Sequence, residues 1–156
     1  MGSAEAAESH AAGAARCAFC QTRCRDSARI DPEETCWRCG SALYPAQRQR
    51  FEEHSQRAIA RVAKRVPALY WTGWPESSSQ RGITEDLSLS GMQLRTDQAL
   101  ERGRIIRVTA GALDAVATVV DSQRLEVESG HRWRIGLSFT TLRIDDSRGT
   151  FVSVDA

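Results

Sequence analysis

The sequence predicts a mainly β protein, an antiparallel barrel or sandwich preceded by a small metal-binding module and a connecting helix. Three observations lead there. Trp133, Ile135, Leu137 and Phe139 alternate with Arg134, Gly136 and Ser138, the period of a strand with one face buried. Two Cys-x-x-Cys pairs, Cys17/Cys20 and Cys36/Cys39, are separated by fifteen residues. Between the cysteines and the strands, residues 45–65 carry apolar side chains at helical spacing.

Composition narrows the class. The chain has 156 residues, 41% of them hydrophobic and 26% charged, which suits one globular domain with a small module attached. Its net charge of +1 excludes a bulk polyanion binder, so any anion site is local. Lys64 is the only lysine among 21 basic residues. GC-rich coding explains this most simply, and a preference for bidentate anion contacts would look the same. No apolar run reaches the roughly 18 residues of a membrane span. The first residues lack a signal-peptide core, being interrupted by Glu5, Glu8 and His10. The expected setting is the cytosol, where cysteines serve as metal ligands or free thiols rather than disulfides.

In chain order, residues 1–15 are rich in Ala, Gly, Ser and Glu and are expected to form a tail without a core. Residues 16–44 hold all five cysteines. Residues 45–65 form the helical connector: Pro45 suits a first turn, and Phe51, Ala58, Ile59, Val62 and Val66 fall at amphipathic spacing. Pro67 ends that helix, and residues 66–156 form the β domain. Strands are expected at 66–74, 80–88, 91–96, 104–110 and 113–122, besides the alternating run at 133–139. Turn residues separate them at Arg102-Gly103, Ala110-Gly111 and Ser129-Gly130. The tail 145–156 has no decisive pattern.

Each Cys-x-x-Cys can form a tight knuckle whose two sulfurs chelate one ion, and two knuckles complete a tetrahedral set. Cys17, Cys20, Cys36 and Cys39 are therefore the expected ligands of a structural zinc, with iron, a redox dithiol or free thiols as other readings. Gly40 follows the second pair, where a positive φ is useful. Cys24 is either a spare thiol or a replacement for Cys17 or Cys20; the repeated spacing favours the four. So short a module has too little core to fold alone, and the metal supplies its stability.

Two further stretches concern anions. Arg57, Arg61 and Arg65 recur at steps of four, one row if the helix persists. Alone, this is an ordinary solvated cationic face. In Asp86-Leu-Ser-Leu-Ser-Gly91, Leu87 and Leu89 point one way, and Asp86, Ser88 and Ser90 the other. Gly91 allows a positive φ or a close backbone approach. Alone, this is an ordinary strand end.

Together, Arg61-Val-Ala-Lys-Arg65 and Asp86-Leu-Ser-Leu-Ser-Gly91, with twenty residues between them, resemble the RxxxR and D/N-x-S-x-x-G motifs of PilZ domains. The resemblance covers about residues 57–143. It implies a β-barrel that binds cyclic di-GMP, with Arg61 and Arg65 on bases and phosphates, Asp86 and Ser88 on a guanine, and Gly91 shaping the turn. The chemistry agrees: arginine grips guanine or phosphate in bidentate fashion, and a carboxylate accepts from guanine N–H groups. Relatives that bind an intercalated ligand dimer carry a basic residue just before the first motif arginine. Ala60 stands there, which implies one ligand per chain. Because the arginine segment joins the two modules, ligand is expected to reorient the zinc module or a surface for a protein partner.

An enzyme is not expected: the three histidines, His10, His54 and His131, have no evident nucleophile partner. Trp71 and Trp74 are expected on the first barrel strand and Trp133 in packing. The main rival is a zinc-ribbon regulator that binds nucleic acid or protein, with a barrel that does not bind nucleotide. Against nucleic acid, Asp26, Asp31, Glu33 and Glu34 offset the arginines of the module.

Overall fold

A computed structural model describes residues 15–24, 30–52, 56, 65–75, 78–126, 130 and 132–144. The cysteine module begins with a two-stranded hairpin, β1 (Ala15–Arg16) and β2 (Arg23–Cys24). A short helix, α1 (Ala46–Gln49), follows. Six antiparallel strands then close a barrel: β3 (Pro67–Trp71), β4 (Gln80–Leu87), β5 (Gly91–Thr96), β6 (Ile105–Ala110), β7 (Leu113–Arg124) and β8 (Trp133–Ile144). Their spatial order is β3-β4-β5-β8-β7-β6, with β6 returning to β3. Closure leaves no unpaired sheet edge.

The alternation in each strand builds the core. Ile135, Leu137 and Phe139 of β8 point inward with Leu94 of β5, Ile106 and Val108 of β6, and Tyr70 of β3. Tyr70, Leu94, Ile106, Ile135 and Leu142 are all less than 2% exposed. Each such side chain contributes about 1.5–3 kcal/mol on burial. Two bulges bend β7 and β8 around the barrel, at Val116/Ala117 and Val119/Asp121. β8 runs to Ile144; the tail 145–156 lies outside the described residues.

The first part of the connector places its contact face differently from the expected apolar stripe. Among the described residues of the connector, regular helix covers Ala46–Gln49, with Pro45 before it in extended conformation, and Gln56 is helical again, its N–H donating to the Glu52 carbonyl at 3.1 Å. The N–H groups of Phe51 and Glu52 then bond three residues back, to Arg48 and Gln49, and tighten the chain into a turn. Phe51, expected on the packing face, is 84% exposed. Instead Ala46 and Gln49 are buried, and Gln49 Nε2 donates to the Leu142 carbonyl of β8 at 2.7 Å. That polar anchor sets the contact face, so an apolar stripe counted from Phe51 misplaces it. The remainder of 45–65 lies mostly outside the described residues.

The module is fastened to the outer wall of β6, β7 and β8. Leu142 N–H donates to the Tyr44 carbonyl at 2.9 Å, and Pro45 bridges to Thr141. Arg143 Nε donates to the Glu33 carbonyl at 3.1 Å. Trp74, expected on the first strand, lies beyond β3 and packs into the module's core of Cys17, Ile30, Cys36, Cys39, Leu43 and Tyr44.

Arg107 of β6 completes the joint. Its Nε and Nη2 donate to the two Asp114 carboxylate oxygens at 3.2 and 2.9 Å. Nη1 donates to the Cys39 carbonyl at 2.9 Å and Nη2 to that of Gly40 at 3.2 Å. The guanidinium also lies over the Trp71 ring, 5.2 Å from its centroid. Burial opposes the arginine's charge, and the Asp114 carboxylate more than offsets this, so its pKa is raised.

Candidate functional site

The four cysteines converge. The Sγ atoms of Cys17, Cys20, Cys36 and Cys39 lie within 4.8 Å of one another, and the Cys17–Cys39 and Cys20–Cys36 pairs are 3.6 Å apart. Tetrahedral zinc thiolates, with bonds of about 2.3 Å, place sulfurs about 3.8 Å apart. The two knuckles repeat one geometry. Phe19 N–H faces Cys17 Sγ and Arg38 N–H faces Cys36 Sγ, each at 3.4 Å. Gln21 N–H closes on the Cys17 carbonyl and Gly40 N–H on that of Cys36, at 3.0 and 2.9 Å. The closing turns require left-handed backbone at Gln21 (φ 65°) and Gly40 (φ 82°), and Gly40 adopts it without side-chain strain.

A hydroxyl two residues on attends the second sulfur of each pair: Cys20 Sγ lies 3.0 Å from Thr22 Oγ1, and Cys39 Sγ 3.1 Å from Ser41 Oγ. Burial raises the thiol pKa of Cys17 and of Cys39. Burial pushes Cys20 the same way, but the Thr22 hydroxyl and backbone outweigh it and bring that thiol down to about 7. Soft donors, tetrahedral spacing and N–H groups aimed at sulfur together fit a metal ion bound as a closed structural centre. Cys24 stands outside the set of four. Its Sγ meets the Thr22 carbonyl at 3.4 Å, and burial, then the neighbouring Cys36, pushes its thiol up to about 11.

The second site is an open groove of about 360 Å³ on the outer wall of β4, β5, β8 and β7. Asp86, Ser88 and Gly91 all line it, together with Gln93, Val120, Gly136 and Ser138. Local backbone explains the convergence. Thr84 of β4 pairs with Leu94 of β5, but Asp86 pairs with Gln93, so Glu85 is an extra residue in a β-bulge. Strict alternation from buried Thr84 would turn Asp86 inward. The bulge turns both Glu85 and Asp86 outward. Glu85 is then held by Arg134, whose Nε donates to Oε1 at 2.9 Å, with Arg95 at 3.8 Å. The Arg134 hydrogen bond holds the Glu85 carboxyl below its ordinary 4.5, against the opposing effect of burial, and Arg95 and Arg65 add to the pull.

Beyond Asp86 the polar face continues as expected: Ser88 and Ser90 are exposed, and Leu87 and Leu89 pack against the core. Ser88 organises the turn. Its N–H donates to the Gly91 carbonyl at 2.9 Å, and its Oγ accepts from Ser90 N–H at 3.2 Å. Gly91 is there for close approach, not for a positive φ. A Cβ on it would lie 2.1 Å from the Leu137 carbonyl oxygen of β8. A larger depression of about 580 Å³, lined by Pro67, Leu69, Ile83 and Thr109, is mainly apolar and contains none of the motif residues.

Of the two motif arginines, Arg65 is described and lies exposed just before β3. Arg61 lies outside the described residues. Gln93 and the bulged Glu85 are not among the expected site residues. Gln93's outward face follows from its spacing to Gly91, but its place beside Asp86 depends on the bulge.

Among the described residues, no helix is long and apolar enough to cross a membrane. No curated protein and no solved structure matches the chain at a significant level. A family profile described as PilZ domain matches residues 55–152, more than half of the chain and all six barrel strands. The chain therefore belongs to the PilZ domain family, the family of cyclic di-GMP receptors whose domains bind rather than catalyse.

Proposed function

We propose that this protein is a cyclic di-GMP receptor whose ligand lies in the groove of β4, β5 and β8, gripped from outside by Arg61 and Arg65. The observation that carries this reading is the convergence of Asp86, Ser88 and Gly91 on one open groove. The groove supplies acceptors and hydroxyls for a guanine, and the arginines supply charge for the phosphates. Ala60 implies one ligand per chain. A few bidentate contacts, each contributing about 1–3 kcal/mol, support affinity of about micromolar, which needs roughly −8 kcal/mol.

The resident metal of the cysteine centre is proposed to be zinc, in a structural role. The module sits against β6–β8 through Arg107, Tyr44 and Arg143. Reorienting it, as its place in the chain suggests, would require those bonds to break. Ligand is therefore proposed to act on a surface for a protein partner rather than on the orientation of the module.

Calorimetric titration of zinc-loaded protein with cyclic di-GMP tests the reading. Saturable binding near one per chain is expected, weakened at least tenfold by Arg65→Ala. No saturable heat and no competition with labelled ligand would refute it. Salt-dependent nucleic-acid binding that survives Arg65→Ala would favour a regulator acting through the cysteine module.

A further inference from the structure

We propose that Gln93 acts with Asp86 in reading guanine in the groove, donating to the guanine carbonyl beside the N–H groups taken by Asp86. The inference rests on the receptor reading above and adds a residue to it. Gln93 is the direct cross-strand partner of Asp86, a relation created by the bulge at Glu85. Directly opposed residues share a face of the sheet, with Cβ atoms about 5 Å apart. Both side chains are exposed, both line the groove, and neither makes a side-chain hydrogen bond among the described residues. The neighbouring carboxylate, Glu85, is engaged by Arg134 and Arg95, which leaves Asp86 as the acceptor facing Gln93's side of the groove.

The floor beside this pair is low. Gln93's partner on β8 is Gly136, and Gly91 pairs with Ser138. A Cβ on Gly136 would meet Asp121 Cβ at 3.3 Å and Val120 Cγ2 at 3.6 Å, so the missing side chain keeps that part of the groove clear. A flat base can lie there with its edge toward Asp86 and Gln93.

The two polar groups then form a pattern. Asp86 offers acceptors, and the Gln93 amide offers N–H donors next to them. The Watson–Crick edge of guanine presents N2–H, N1–H and O6 in order. Asp86 accepts from the two N–H groups and Gln93 donates to O6. Adenine presents a lone pair at N1, which would face the carboxylate unpaired. Sites built to pair a polar group discriminate against ligands that leave it unpaired.

The test titrates the full-length zinc-loaded protein with cyclic di-GMP and with cyclic di-AMP. The proteins compared are wild type, Gln93→Ala, Gln93→Glu and Arg65→Ala. Gln93→Ala is expected to weaken cyclic di-GMP about five- to tenfold, the loss of one hydrogen bond, while leaving cyclic di-AMP within about twofold. Gln93→Glu is expected to weaken cyclic di-GMP further, since an acceptor would replace the donor at O6. Cyclic di-GMP affinity within about twofold of wild type in both Gln93 variants would overturn the inference while leaving the receptor standing. Equal loss for both dinucleotides would also overturn it. Wild type that binds neither dinucleotide would bring down the receptor reading and this inference together.

Discussion

On the wall of β6 and β7, Arg107 gives its guanidinium to Asp114, Cys39 and Gly40. On the wall of β4 and β5, Asp86 and Gln93 stand side by side with no side-chain partner among the described residues. The first wall is covered: Asp114 and Val116 are outward-facing residues of β7, yet 9% and 0% exposed, because the cysteine module and α1 lie over that wall. The second wall is open, and its floor is made low by Gly91 and Gly136. One barrel thus uses polar groups in two ways. Where they are mutually satisfied they fasten a module, and where they are held exposed by a bulge they are available to a ligand.

The strongest way to break this comparison is to remove the proposed metal centre. Cys36→Ser is expected to abolish stoichiometric metal and the exchange protection of 15–24 and 30–44, since structural zinc contributes on the order of 10 kcal/mol to such modules. The barrel should survive, because its core is distinct from that of the module. Cyclic di-GMP affinity should stay within about threefold of wild type. If groove binding vanishes with the metal, the two walls are not independent.

Gly91→Ala comes next. Its Cβ would be driven into the Leu137 carbonyl, so β5 must separate from β8. We expect a cost of about 3 kcal/mol, a melting temperature lower by more than about 10 °C, and loss of ligand binding. Arg107→Ala should cost about 2–4 kcal/mol in denaturant titration, because it leaves Asp114 and two carbonyls without their donor. Its effect on ligand affinity should be under about twofold. Arg107→Lys should recover only part of the loss, since an ammonium cannot reproduce the fork.

The smallest effect concerns acid. The Glu85 carboxyl is depressed below 4.5 by Arg134, so it contributes stability above that pH and loses the contribution as pH falls through the lower folded value. Wild type should therefore lose more of its midpoint temperature below pH 4.5 than Glu85→Gln does, by a few degrees. Identical acid profiles would mean that the ion pair does not anchor the bulge.

Much of this was legible in the sequence for physical reasons. Half-buried strands write their period directly, which is why the expected 91–96 matches β5 and the expected 104–110 falls within one residue of β6. Two identical chelating spacings do the same for the cysteines. The motif pointed to Asp86, Ser88 and Gly91, and the structure brings them to one groove. What stayed hidden depends on register. The bulge at Glu85 changes which face Asp86 occupies relative to Thr84, and only strand pairing reveals it. Arg107 reaches a carbonyl 68 positions away, a docking contact that no local pattern encodes. Phe51 was misread because helical spacing was counted through a segment that turns.

In the proposed mode of binding, the open wall receives the dinucleotide while the covered wall stays as it is. Amide hydrogen exchange of the zinc-loaded protein, with and without saturating cyclic di-GMP, tests this most directly. Slowed exchange is expected across 57–66, 86–93 and 136–138, and none of note at 36–41 or 107–114. Unchanged exchange at 86–93, or slowing centred on 36–41 and 107–114, would contradict it.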